Sequence, residues 1–182
     1  MTTMAETDRE NRAWSVPLAV HELPDTGRRY QITADEHVRA AICRLAQLRD
    51  LSRLEASFEV VRRGRSAVSV VGRVSATVGQ NCVVTLEPIL NEVEESIDVV
   101  YTSKVAGQYH QTLDIDFAGE DPPEPLADGM LDLGEIATEF LIMGIDPYPK
   151  KPGATFEPPQ ASDNEAHPFA ALAALKNAKQ GK

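Results

Sequence analysis

Residues 54–78, "LEASFEVVRRGRSAVSVVGRVSATV", decide the fold. Leu54, Ala56, Phe58 and Val60 alternate with Glu55, Ser57 and Glu59. After a short break, Val68, Val70, Gly72, Val74, Ala76 and Val78 alternate with mainly polar residues. A period of two sends successive side chains to opposite faces of a strand, so each run has one apolar face and one wet face. Between the runs, "RRGR" (62–65) turns the chain, with Gly64 free to take a positive φ. The second strand continues towards Cys82 and Leu86, and Glu87-Pro88 turns the chain again. Val93, Ile97, Val99 and Tyr101 then alternate with Glu92, Glu94, Ser96 and Asp98. Three such strands in succession form an antiparallel meander with one face on a core and the other in water.

Working outward, "AWSVPLAV" (13–20) reads as an edge strand or one broken by a bulge, because Pro17 cannot donate to a ladder. "HELPDTG" is a turn and "RRYQI" a short strand. Thr33-Ala34-Asp35-Glu36 has the form of a capping box, with Thr33 as the cap. Val38, Ala41, Ile42, Leu45 and Leu48 then recur at helical spacing over 34–49, with Arg39, Arg44 and Arg49 on the outer face. Beyond the meander, Leu113, Ile115 and Phe117 suggest a further strand, and 118–129, "AGEDPPEPLADG", is an acidic, proline-rich loop. Asp132 is placed to cap a second helix, with Glu135 at its third position. Leu133, Ile136, Ala137, Phe140, Leu141 and Gly144 supply its apolar stripe, and Asp146-Pro147 ends it. Pro168 opens a short terminal helix carrying Phe169, Leu172 and Leu175. The expected fold is α+β: a curved or barrel-like antiparallel sheet packed with two amphipathic helices, plus a short C-terminal helix on a flexible tail. The expected divisions are a disordered N-terminal tail over 1–12, the α+β domain over 13–153, and a proline-rich linker with the short helix over 154–182.

Composition narrows the function. The 182 residues are 42% hydrophobic and 5% aromatic, enough for one cored domain. There is no apolar run of about eighteen residues to span a membrane. The opening "MTTMAETDRENR" lacks the apolar stretch of a secretory signal. Two distant cysteines make no disulfide framework. A cytoplasmic protein with reduced thiols is expected. The net charge of −10 is unevenly spread. Residues 1–75 carry 12 arginines, no lysine and 10 acidic residues, a net of +2; residues 76–182 carry 6 lysines, no arginine and 18 acidic residues, a net of −12.

Catalytic patterns are missing. Cys82 stands in "NCVVTLEP" (81–88), but Thr85 occupies the place where a C-x-x-C would have its second sulfur. A structural zinc takes four converging ligands. Cys43 falls on the first helix, and His21, His37, His110 and His167 are scattered, so Cys82 reads as a small apolar residue at a strand end and no metal is expected. There is no nucleophile elbow, glycine-rich phosphate loop or zinc-protease helix, and the carboxylate pairs sit in polar loops. No enzyme activity, cofactor or small-molecule substrate is expected. Two binding modes remain open. Arg62, Arg63 and Arg65, with Arg39 and Arg49, offer planar forks suited to RNA phosphates. The acidic stretch 87–135 suits a basic partner such as a ribosomal protein.

Three segments in order point further. "VVGRVSATVGQNCVVTLEPI" (70–89), "DPPEPLADGMLDLGEIATEFLIMGIDPYPKKPG" (121–153) and "HPFAALAALK" (167–176), led by "FEVVRRGRSAV" (58–68), resemble the YceD family of large ribosomal RNA subunit accumulation proteins. The resemblance covers about residues 14–176. It implies a small non-enzymatic bacterial protein, with plastid relatives, needed for accumulation or processing of large-subunit (23S) rRNA. Many relatives have C-x-x-C at the signature and a cysteine-containing tail. This chain has Thr85 in place of the second cysteine, and its ending "DPYPKKPG" looks like the version found in alphaproteobacteria. The expectation is a ribosome biogenesis factor. Its arginine-bearing half would meet rRNA through Arg62, Arg63 and Arg65, while Glu135 and Glu139 would dock a basic ribosomal protein. The alternative is a protein-only adaptor or chaperone for a basic ribosomal protein, without RNA contact.

Overall fold

The computed structural model describes residues 12–64, 66–103 and 122–156. The chain divides into two compact units, Met1–Pro152 and Gly153–Lys182, and every described strand and helix belongs to the first. The strands are β1 (Pro17–Ala19), β2 (Arg28–Thr33), β3 (Asp50–Arg63), β4 (Ala67–Asn81), β5 (Pro88–Thr102), β6 (Glu124–Pro125) and β7 (Met130–Asp132). The α-helices are α1 (Glu36–Leu45), between β2 and β3, and α2 (Leu133–Gly144), after β7, and a single 3-10 turn, Val20–Glu22, follows β1.

The meander is present. β3, β4 and β5 pair antiparallel in unbroken register from Phe58↔Gly72 to Arg63↔Ala67 and from Gly72↔Ile97 to Ala67↔Thr102. The sheet order is β2-β3-β4-β5-β6, with β6 parallel to β5, while β1 and β7 form a separate antiparallel pair. The sheet is therefore open and not a barrel. Among the described residues β2 pairs only with β3 and β6 only with β5. With six residues in β2 and two in β6, the edge strands do not join to close a cylinder. The apolar face is covered by helices instead. Leu54, Ala56, Phe58 and Val60 of β3, Val70, Val74, Ala76 and Val78 of β4, and Val93 and Ile97 of β5 share one cluster with Ile42 of α1 and Leu133, Ile136, Ala137 and Leu141 of α2.

Local corrections follow from what the backbone is already bonded to. The cap of α1 is Asp35, whose carboxylate accepts from the Val38 amide at 2.9 Å, rather than Thr33. Thr33 is still in β2, opposite Glu55, and Ala34 still donates to the Leu54 carbonyl at 3.0 Å. The helix stops at Leu45, short of the expected 49. Gln47 takes φ 53°, and Leu48 N donates to the Cys43 carbonyl at 2.9 Å. Arg49 donates instead to the Gly79 carbonyl, so it belongs to the approach to β3 and not to the helix. β3 begins four residues earlier than its alternation suggests, because a bulge between Leu51 and Arg53 breaks the pattern without ending the ladder. The β4–β5 turn occupies 82–87, and Pro88 opens β5. The strand expected at 113–117, the terminal helix and the N-terminal tail lie outside the described residues.

The second helix is capped as its sequence indicates. Asp132 accepts from the amides of Gly134 and Glu135 at 3.1 and 3.2 Å. Gly134 is required by what lies on it: a Cβ there would come within 2.8 Å of the Trp14 carbonyl oxygen. No described helix is long and apolar enough to cross a membrane, which says nothing of membrane β-barrels.

Candidate functional site

Strand register decides which arginines are committed. On β3, Arg53, Glu55, Ser57, Glu59 and Arg63 share the solvent face, opposite the core residues. Pairing then lays the basic strands against the acidic one. Arg53 reaches Glu92 at 2.7 Å, Arg73 bonds Glu94, and Arg29 of β2 reaches Glu59 at 3.3 Å. Thr77 also donates to Glu92 at 2.7 Å. Thr77 first, and then Arg53, hold the Glu92 carboxyl below its ordinary value. The segregation of charge along the sequence is thus cancelled in the middle of this face. A shallow hollow of about 510 Å³ there is lined by Arg29, Gln31, Ser57, Glu59 and Val71, and its two charged groups bond each other.

The β3–β4 hairpin is different. The side chains of Arg62 and Arg63 make no hydrogen bond or ion pair among the described residues. Arg62 pairs with Val68 and continues the core side of β3 past Val60, while Arg63 pairs with Ala67 on the solvent side. The two guanidinium groups therefore leave opposite faces of the ribbon, a separation that sequence adjacency conceals. Gly64 turns the chain at φ 70°, and Arg65 lies outside the described residues. β2 ends beside them at Arg28↔Val60, where the Arg28 guanidinium lies over the Tyr30 ring at 5.8 Å. The other expected phosphate contacts are engaged. Arg39 donates to the Ala34 carbonyl at 2.7 Å, tying α1 to its own entry, and Arg49 donates to Asn81 at 3.3 Å, at the far end of β4. The structure does not bring them to the hairpin.

The acidic residues gather near α2. Glu135 is bonded to Arg12 at 2.9 Å. Burial, then the neighbouring Glu135 and Glu124, push the Glu139 carboxyl upwards. Tyr101, beside Glu124 in the ladder, is pushed up to about 12 by burial and then by Glu139, Glu124 and Glu135. The junction under this group was not legible from the sequence. Asp132 is a hub whose Oδ1 also accepts from Val16 N at 2.7 Å. Its Oδ2 accepts from Ser15 Oγ at 2.7 Å and Arg12 at 3.0 Å.

Cys82 has no exposed surface and is held by a braced turn. Its Sγ accepts from the Lys151 amide at 3.3 Å and the Thr85 amide at 3.4 Å. Lys151 Nζ bonds Glu87 at 2.8 Å, and Val83 N bonds the Pro149 carbonyl at 2.9 Å. The Lys151 donor, then those of Thr85, outweigh burial and lower the thiol to about 6. Thr85, in the place of a second sulfur, sits within hydrogen-bonding reach of Glu87 through its Oγ1. Among the described residues no group of three or more His, Cys, Asp or Glu side chains could hold a metal.

A family model described as Large ribosomal RNA subunit accumulation protein YceD matches residues 70–176, more than half of the chain. The match begins in β4 and runs through β5, β6, β7 and α2. No curated protein and no solved structure matches.

Proposed function

The chain belongs to the YceD family of large ribosomal RNA subunit accumulation proteins, and from that premise we propose that it is a non-enzymatic ribosome biogenesis factor that contacts large-subunit rRNA directly. It works in the cytoplasm, where that RNA is made and assembled. The contact is made by the arginines of the β3–β4 hairpin: Arg62 and Arg63, with Arg65 as their sequence neighbour. The observation that supports this assignment is selective commitment. Arg29, Arg53 and Arg73 are bonded to carboxylates, while Arg62 and Arg63 have no partner among the described residues. A guanidinium without an internal carboxylate keeps its planar fork for phosphate oxygens.

The test is binding of the full chain to large-subunit rRNA fragments across a salt series, with Arg62, Arg63 and Arg65 replaced together by glutamate. Weaker binding and a shallower salt dependence are expected. Unchanged affinity and slope would remove the hairpin from the RNA interface. A second reading draws on Glu139, exposed and crowded by Glu124 and Glu135: this acidic side docks a basic ribosomal protein, without RNA contact. Capture with and without ribonuclease separates the two. Loss of the ribosomal catch on ribonuclease treatment supports the first reading, and a resistant ribosomal-protein catch supports the second.

A further inference from the structure

We propose that two copies of this chain pair edge to edge through β2, antiparallel about a twofold axis at Gln31, so that their five-stranded sheets continue as one. The inference is independent of the RNA reading above.

The direction of the β2 backbone opens the edge. Ala34 N donates to the Leu54 carbonyl at 3.0 Å, one rung beyond Thr33↔Glu55, which makes Ala34 and Leu54 a bonded pair of the antiparallel ladder. Every second residue before it, Ile32, Tyr30 and Arg28, therefore also bonds β3. Arg29, Gln31 and Thr33 turn their N–H and C=O groups outward, and those groups have no hydrogen-bond partner among the described residues. All three side chains are exposed. The register from Arg28↔Val60 to Thr33↔Glu55 has no bulge, and 28–33 contains no proline or lysine to blunt the edge.

The edge is complementary to itself. Only a register that sets outward-turned residues opposite one another closes these bonds. With Gln31 opposite Gln31 of the second copy, Arg29 faces Thr33 and Thr33 faces Arg29, and all three outward residues are bonded. Moving the axis to Tyr30 or Ile32 leaves only two of them bonded within the strand. On the solvent face the two Gln31 amides can each donate and accept. On the core face Tyr30 and Ile32, both half-buried at the rim of the core, stand opposite each other twice, and an aromatic against a β-branched residue is a favoured cross-strand pair.

Charge selects a second copy over an unrelated extended segment. The stretch "RRYQITADE" (28–36) opens with Arg28 and Arg29 and closes with Asp35 and Glu36, all four exposed. Antiparallel self-pairing lays the basic end of each copy along the acidic end of the other, with Arg28 opposite Ala34 and next to Asp35. No like charges face each other across the seam. One strand edge is small against the roughly 1,200 Å² that a stable interface buries, so the dimer is weak and its population follows concentration. The twofold carries the two β3–β4 hairpins to opposite ends of the joined sheet.

Sedimentation velocity of the full chain over a concentration series should show monomer and dimer in equilibrium, with a dissociation constant on the order of 100 μM. Thr33→Lys places a cation opposite Arg29 of the second copy and beside Glu55 of its own sheet, and should weaken self-association by roughly tenfold. Gln31→Pro removes an N–H that points away from β3 and should abolish the dimer, with urea unfolding reporting that each variant stays folded. Register is read by oxidation. Gln31→Cys brings its own copies to a Cα separation of about 5.5 Å, within disulfide range, whereas in Arg29→Cys they stand about 13 Å apart. Rapid disulfide dimers in the first and none in the second are expected. Equal cross-linking of the two would overturn the register. A dimer untouched by Thr33→Lys and Gln31→Pro would overturn β2 as the seam. A monomer at every concentration would overturn self-pairing and leave the edge to an extended segment of another protein.

Discussion

Replacing Asp132 by alanine should cost about 3–4 kcal/mol of folding stability, and the network around its carboxylate shows why. Oδ1 accepts from the amides of Val16, Gly134 and Glu135, and Oδ2 from Ser15 Oγ and the Arg12 guanidinium. Loss of the helix cap alone is worth about 1–2 kcal/mol. The part-buried Val16 amide, left without its acceptor, adds about 1 kcal/mol, and the Ser15 bond adds a similar amount. The Arg12 pair is partly solvated and adds only a few tenths. An asparagine in the same place would keep an oxygen for the three amides and lose the charge facing Arg12, so Asp132→Asn should cost roughly half as much. Urea unfolding of the three proteins at neutral pH reads these differences. Burial works to raise the Asp132 carboxyl, but Ser15, Val16, Glu135 and Arg12 outweigh it and hold it below its usual range. A depressed carboxyl contributes stability that is present above its unfolded value near ~3.9 and is lost as pH falls through its folded value. That acid-side loss should be smaller in Asp132→Asn. A cost below about 1 kcal/mol for alanine, or equal costs for both variants, would refute the reasoning.

Gly134→Ala should destabilise by about 1–3 kcal/mol despite alanine's better helix propensity, because the new methyl meets the Trp14 backbone; a thermal midpoint at or above that of the parent would contradict it. The lowered Cys82 thiol, at about 6, makes stability rise with pH between that value and the unfolded value near ~8.5. That contribution is present above the unfolded value and is lost as pH falls through 6. Urea midpoints at pH 5.5 and 8.5 should therefore converge in Cys82→Ala relative to the parent, and an unchanged difference would reject the thiolate. Single alanine replacements of Arg29, Arg53 and Arg73 should leave RNA affinity within about twofold, since each guanidinium is bonded to a glutamate. A loss as large as that of the triple Arg62, Arg63 and Arg65 variant would show that the sheet face binds RNA.

Much of the fold was legible because its cues are local. The alternation over 54–78 and 92–101 marks β3, β4 and β5, and Asp132 three residues before Glu135 marks the start of α2. Where a local cue competed with a non-local bond, the latter won. Thr33 looked like a helix cap, but β2–β3 pairing carries the chain two residues further before α1 can start. The sheet stays open where a barrel is expected, since closure depends on how edge strands meet and no strand's own pattern records that. The candidate site was legible in one respect: "RRGR" marked itself as a basic turn. Its geometry was not, because adjacent arginines in a strand point apart.

By itself, then, the sequence determined the antiparallel meander, the capped second helix and the family. These rest on periodicity, capping chemistry and motif order, all carried by neighbours in the chain. Tertiary structure alone decided which charges remain available. Register laid Arg53 on Glu92 and Arg73 on Glu94, neutralising residues separated by 21 positions or more, and left Arg62 and Arg63 at a tip beyond the end of β2. It also gathered residues 12–16 onto Asp132 and the 149–151 segment onto Cys82. A charge's partner is set by distance in space, which strand pairing fixes and composition does not.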